Sequence, residues 1–368
     1  MRRPLLLAPL LLLAGGLAVC PRPARGCAIA PPPNGTTSIT AESALIVYDA
    51  ATHTEHFIRT AGFQSTSAEF GFLVPTPTRP ELAEASAEVF GELGRITERR
   101  TVVRRRGMEP EFGCALKSTV FVVGAASPDP AARGGGRVVE QKRVGDFDAA
   151  VLQASDPARL RDWLTANGYD ARPELVEWFK PYTADGWFLT AFKIAADSPA
   201  AGGQTLALTS TAVRISFQTD RPFYPYREPA DMQAATGPRS LRLFVLSDAR
   251  VSGTLGTGGS GGKPWPGRTE WSNRVPADKL ASAVSKGKLP EAVGGREWHL
   301  TEFLDPSSPR PGTEELYLSD AADQSPVERP PDVVWEEYDP WPWVFGTIAV
   351  LALVLRGFGV WRTVRTKG

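Results

Sequence analysis

At 368 residues, with 41 lysines and arginines against 41 aspartates and glutamates, the chain is electrically balanced, and its charge gives no case for nucleic acid as a partner. Thirty-five glycines and 33 prolines, nearly a fifth of the residues, argue against a helical bundle and for a loop-rich, sheet-containing protein, while 17 phenylalanines and ten tryptophans supply a core. With the terminal segments set aside, roughly 300 residues remain, enough for one large domain or two lobes.

Residues 1–26 read as a secretory signal peptide, because Arg2 and Arg3 precede an apolar run from Leu5 to Val19. Small residues at the −3 and −1 positions, in Ala24-Arg25-Gly26, would leave Cys27 as the mature N-terminus. A lipobox-like Leu17-Ala18-Val19-Cys20 competes, although Val19 is large for its position. Without Cys20 the remaining cysteines are Cys27 and Cys114, and outside the cytoplasm one disulfide between them is the expectation. Closing so long a loop is worth about 4–5 kcal/mol on chain-entropy grounds. A reactive Cys114 is the alternative.

After a polyproline stretch at Ala30–Asn34, the chain is organised around Ala44 to Leu82. Ala44–Asp49 reads as a strand, Ala50–Thr54 as a loop of hairpin length, Phe57 and Ile58 open the return strand, and Phe70, Phe72 and Val74 mark a third. Pro75, Pro77 and Pro80 are expected to end the sheet. Pro80 then suits the first turn of an amphipathic helix over Glu81–Leu93, with Leu82, Val89, Phe90 and Leu93 on one side.

Glu69-Phe-Gly-Phe-Leu-Val-Pro-Thr-Pro followed by Pro80-Glu-Leu, after a strand like Ala44–Asp49, resembles the bacterial family of exported proteins known as domain-of-unknown-function family 2330. Asp162-Trp163-Leu164 with Asn167-Gly168-Tyr169, the strand Val213–Phe217 leading to Arg221-Pro-Phe-Tyr-Pro, and Leu241–Asp248 agree with it. The resemblance covers Cys27 to Ala321. Members often carry a second cysteine soon after the first, which Cys27-Ala-Ile-Ala-Pro lacks. The family implies no reaction and lends no functional residue.

Six arginines fall between Arg95 and Arg106. They read as a solvated face or an exposed strand with Val102 and Val103 turned inward, against the alternative of a patch for anionic headgroups or an acidic partner. Lys117–Gly124 has the look of a buried strand, and Arg137–Gln153 of two strands broken near Gly145-Asp146. Asp156-Pro157 starts a helix that ends at Asn167-Gly168, and a second helix covers Pro173–Lys180. Gly186–Ile194, Leu206–Thr219 and Ser240–Ser247 read as strands, with a boundary at Ala196–Gly203.

Gly256 to Gly262 satisfies both a G-x-G-x-x-G and a G-x-S-x-G pattern, but Lys263-Pro264-Trp265-Pro266 after it cannot start the helix that either motif needs. A surface loop is the simpler reading. His53 and His56 are the low-ranking metal candidates, with Asp49 or Glu55 as a third ligand. Residues three apart on a strand face opposite ways, so a metal would require a bend between them.

Residues 322–340 are acidic and proline-punctuated, an extended stalk with little capacity to fold. Trp341–Trp361 follows as a transmembrane helix of about 31 Å with Arg356 snorkelling, and Arg362, Arg365 and Lys367 mark a cytoplasmic tail over 362–368.

The expectation is therefore an exported α+β protein, sheet-dominated and mostly antiparallel, with about three helices plus one C-terminal transmembrane helix. Its body, 27–321, is open to division into lobes 27–200 and 204–321. The leading function is a non-catalytic envelope or surface module, held to the cell membrane with its bulk outside, that binds another protein or a glycan. The alternative is an extracytoplasmic hydrolase or metal-dependent enzyme. No cofactor is implied and no catalytic residue is nominated. An enzyme should gather His53, His56 or His299 with carboxylates in a pocket, whereas a binding module should carry Trp265 and Trp271 on a rim.

Overall fold

The computed structural model describes residues 28–30, 37–65, 71–107, 138–153, 155–195, 206–209, 211–233, 239–256, 262–338 and 341–365. In chain order the elements are β1 (Ala28–Ala30), β2 (Thr37–Asp49), β3 (Thr54–Ser65), β4 (Gly71–Thr76), β5 (Glu81–Ala85), α1 (Glu88–Ile96), β6 (Thr101–Gly107), β7 (Val138–Val144), β8 (Phe147–Gln153), α2 (Pro157–Ala166), α3 (Pro173–Ala184) and β9 (Phe188–Ile194). There follow β10 (Leu206–Thr209), β11 (Ala212–Gln218), β12 (Phe223–Tyr224), α4 (Ala230–Gln233), β13 (Ser240–Ser247), β14 (Val251–Leu255), β15 (Lys263–Pro264), β16 (Arg268–Val275), α5 (Ala277–Gly287), α6 (Glu291–Gly294), β17 (Trp298–Asp305), β18 (Leu316–Asp320), β19 (Asp332–Tyr338) and α7 (Trp341–Arg365).

Two sheets form the centre. An eight-stranded sheet runs β16-β17-β13-β2-β3-β11-β5, with β10 also paired to β3, and a five-stranded sheet runs β1-β4-β9-β8-β7. Pairing is antiparallel apart from β13 on β2 and the separate ribbon of β6 and β19. Because successive side chains on a strand face opposite ways, Ala44 and Ile46 enter the core shared by the two sheets, while Leu45 and Val47 enter a second core under α1 and α5. The five-stranded sheet is covered likewise: Phe72 and Phe192 point to the shared core, Leu73 and Ala191 to α2 and α3. The layers therefore run helix, sheet, sheet, helix. Strands buried on both faces lose the polar alternation, hence the unbroken apolar runs Ala44–Val47 and Leu243–Leu246.

The sheet-dominated, mostly antiparallel α+β expectation holds, with seven helices among the described residues rather than about three. α2 has the expected ends, with the Asp156 side chain accepting from the Ala158 amide at 2.8 Å and Gly168 at φ +79°. The helix expected over Glu81–Leu93 is a correction. Glu81–Ala85 is an edge strand on β11, and the helix starts at Glu88. Good helix formers are overridden there because the open edge of β11 supplies backbone partners and Leu82 and Ala85 find burial.

The third strand of the organising stretch joins the five-stranded sheet instead of extending the β2–β3 hairpin. It also runs past Pro75 to Thr76. β1 pairs β4 only from Gly71 to Leu73, so a missing N–H at Pro75 breaks no ladder on that side.

Segment 322–338, expected to have little capacity to fold, carries β19, which pairs in parallel with β6. Val102 and Val103 are exposed there, not turned inward. The eight-stranded sheet draws strands from both sides of residue 200. Cys27, Cys114, the signal segment, Lys117–Gly124 and Ala196–Gly203 lie outside the described residues. Counting described residues alone, no helix is long and apolar enough to cross a membrane. Side chains of α7 are described over 345–357, all exposed.

Candidate functional site

At the end of the large sheet where β2 turns into β3, a cleft of about 690 Å³ opens between four chain segments. The hairpin turn contributes Thr52 and His53, the loop after β4 contributes Pro77 and Thr78, the β11–β12 link contributes Gln218 to Arg221, and Trp187 and Tyr317 close the sides.

Local chemistry makes these loops rigid. Asp49 caps its turn by accepting from the Ala51 amide at 3.1 Å and the Thr52 hydroxyl at 3.0 Å, and His53 takes the left-handed conformation, φ +50°. The Thr219 amide donates to the His53 carbonyl at 2.8 Å. Thr78 Oγ1 donates to the Gln218 carbonyl and accepts from the Gln218 amide, at 2.8 and 2.9 Å. Thr219 Oγ1 donates to the Arg221 carbonyl at 2.8 Å. From below, Tyr48 Oη donates to the Asp220 carbonyl at 3.1 Å.

The walls are aromatic. Phe223 packs edge-on to Trp187 with ring centres 5.4 Å apart and lies 5.8 Å from Tyr317. The Arg221 guanidinium sits 4.5 Å above the Tyr317 ring. At the mouth His53 Nδ1 approaches Asp220 at 3.3 Å, both well exposed. Below lies Glu55, fully buried, with Oε2 accepting from the Phe223 amide at 3.0 Å and no hydrogen-bond partner for Oε1 among the described residues. Burial pushes its carboxyl well above the usual carboxylate range, against the lowering effect of the Phe223 amide.

The two metal candidates diverge. His53 faces the cleft mouth, whereas His56 Nδ1 meets Ser216 Oγ on the neighbouring strand at 2.8 Å, where burial lowers its pKa. Among the described residues no group of three or more His, Cys, Asp and Glu is placed to hold a metal. His299 Nε2 pairs with Ser272 Oγ at 2.9 Å, but Ser272 is fully buried and also contacts Thr301 Oγ1 at 3.0 Å. Burial, then Arg274 and Arg250, lower the His299 pKa.

The expected rim of Trp265 and Trp271 is corrected. Trp265 is buried between Tyr226 and Phe303, and Trp271 packs half-buried on the helix-side core. Local sequence did not single out Trp187, Asp220 or Tyr317, which meet only through the fold. The Arg221-Pro-Phe-Tyr-Pro turn and His53 were the visible signals.

Behind the cleft, the shared core holds a charge network. Arg310 is buried, with Glu228, Asp305 and Glu42 at 3.6, 3.7 and 3.8 Å. Arg59 donates to Glu42 at 2.5 Å, Arg239 is bidentate to Glu228, and Tyr226 Oη donates to Asp305 at 2.7 Å. This network ties β2, β3, β17 and the residue before β13 to the loops beside β18. It is closed to solvent.

The fold and cleft together define a four-layer α+β protein with a braced, aromatic-walled cleft. The chain belongs to domain-of-unknown-function family 2330, described as an uncharacterized protein conserved in bacteria, which it matches over residues 22–282. The match ends inside α5, before the 321 expected, so Tyr317 lies beyond it. No curated protein and no solved structure matches the chain.

Proposed function

We propose that this is an exported, membrane-tethered, non-catalytic module that binds an envelope glycan in the cleft between Trp187, Arg221 and Tyr317. The carrying observation is that the cleft offers aromatic surface and polar groups at its mouth, while its hydroxyls at Thr52, Thr78 and Thr219 are spent on bracing backbone and turn. Sugars present apolar C–H faces that stack on aromatic rings and hydroxyls that pair with groups such as Asp220, Gln218 and His53.

Tethering is proposed through α7. Although no helix meets the length and hydropathy for crossing when the described residues alone are counted, the full 25 residues of α7 correspond to about 37 Å of helix, against the roughly 30 Å apolar core of a bilayer. Apolar side chains such as Ile348, Leu351, Leu353 and Leu355 are 59–70% exposed, as a lipid-facing helix requires. The N-terminal basic and apolar run supports export, with the body on the outer side.

The test is binding of arrayed bacterial envelope glycans to the full chain in lipid nanodiscs. Trp187→Ala and Arg221→Ala should each weaken binding about tenfold or more, the equivalent of roughly 1.4 kcal/mol, at an unchanged unfolding midpoint. No retained glycan would overturn the ligand class. Cleavage of a bound glycan would overturn the non-catalytic reading in favour of a hydrolase.

A further inference from the structure

Outside the four layers, β6 and β19 form a two-stranded parallel ribbon with Val102 opposite Val333, Val103 opposite Val334 and Arg104 opposite Trp335. Alternation along each strand puts Val102, Arg104, Val333 and Trp335 on one face. Both faces are left in solvent, with Val103 58% and Val334 51% exposed on the other, but this face carries Trp335, 56% exposed, beside Val102 at 39% and Val333 at 38%. Contiguous apolar surface of this kind marks an interaction site more often than an idle one.

Chain length decides what covers it. β19 ends at Tyr338 and α7 begins at Trp341, and three Cα steps reach at most about 11 Å. Given the reading of α7 as a bilayer-spanning anchor, on which this inference rests, the ribbon is held at the membrane surface. Its composition suits that zone. Tryptophan favours the headgroup level, where its ring is half in the acyl boundary and its N–H stays wet, and arginine pairs with lipid phosphate. Where the chain enters the ribbon the charges are internally matched, Arg99 with Asp332 at 3.2 Å and Arg100 with Glu328 at 3.0 Å. The apolar side chains and Trp335 are thus what the ribbon has to offer a membrane.

We propose that the Val102–Val333–Trp335 face of the β6–β19 ribbon docks on the lipid interface and sets the orientation of the body, and so of the cleft, relative to the membrane.

The experiment uses the full chain in phosphatidylcholine–phosphatidylglycerol vesicles containing lipids brominated high or low on the acyl chain. Emission of Trp335 is read as the difference between wild type and Trp335→Phe, and Leu351→Trp adds an emitter in the middle of α7. The proposal expects Trp335 to be quenched by the shallow bromines and shielded from aqueous iodide, with the added tryptophan quenched by the deep bromines. Deep quenching of the Leu351→Trp emitter with Trp335 quenched only by iodide would overturn docking and leave the anchor standing. Insensitivity of both emitters to bromine would overturn the anchor and the docking with it.

Discussion

Burial raises the Glu55 carboxyl well above the usual carboxylate range beneath the cleft, and this makes the residue a source of pH dependence. Its folded pKa is raised, so its contribution to stability is fully present below its ordinary value near 4.5 and is lost as the pH climbs through the raised value. Glu55→Gln keeps the neutral shape without the titration. Its urea midpoint should lie close to that of wild type at about pH 4 and above it at about pH 8; parallel curves would show Glu55 to be ionised in the fold. Glu42, beside Arg310, has the opposite character. Burial raises the Glu42 carboxyl, but Arg59 and Arg310 outweigh it and hold the pKa below the usual range. Stability from Glu42 is thus present above its ordinary pKa and lost as the pH falls through the lowered one. Arg310→Leu leaves Glu42, Glu228 and Asp305 facing one another in the core, which should cost about 3–5 kcal/mol in urea unfolding near neutral pH. A loss under about 1 kcal/mol would show that the network is energetically idle.

Between elements, the contact of α1 with α5 is set by one missing side chain. A Cβ on Gly287 would lie 2.8 Å from Val89 Cβ and 2.9 Å from Val89 Cγ2, and a β-branched partner cannot rotate away. Gly287→Ala is favoured by helix propensity by up to about 1 kcal/mol, but the overpacking, about 1–3 kcal/mol, should win. Combining it with Val89→Ala should recover stability in a double-mutant cycle, and strictly additive losses would place the clash elsewhere. Elements with strong local signals were legible: the β2–β3 hairpin from its apolar runs and turn, β13 to the residue, α2 from its proline and its left-handed glycine. β5 was not, because Glu-Leu-Ala-Glu-Ala prefers a helix and becomes a strand only beside β11.

For the whole molecule, stability should be unevenly distributed. β2, β3 and β13 are central and buried on both faces, whereas the β6–β19 ribbon rests on one ladder and on exposed ion pairs worth at most about 1 kcal/mol each. Amides of Val333 and Val334 should therefore exchange through local opening, well before those of Ile46 and Val245, in hydrogen-exchange measurements on the full chain. Equal protection would mean that the ribbon belongs to the main cooperative unit. The candidate site follows the same division of scale. Its individual turns were readable, but the cleft needs Thr52, Trp187, Asp220 and Tyr317 together, and those positions are far apart along the chain. By itself the sequence determined the sheet-rich class, the family, and the hairpin and helix ends, because turn chemistry and periodicity act within a few residues. Which sheet each strand joins, the burial of Trp265, the arginine network and the cleft were decided by tertiary structure alone. Strand partners and converging side chains depend on long-range burial, and no local pattern encodes it.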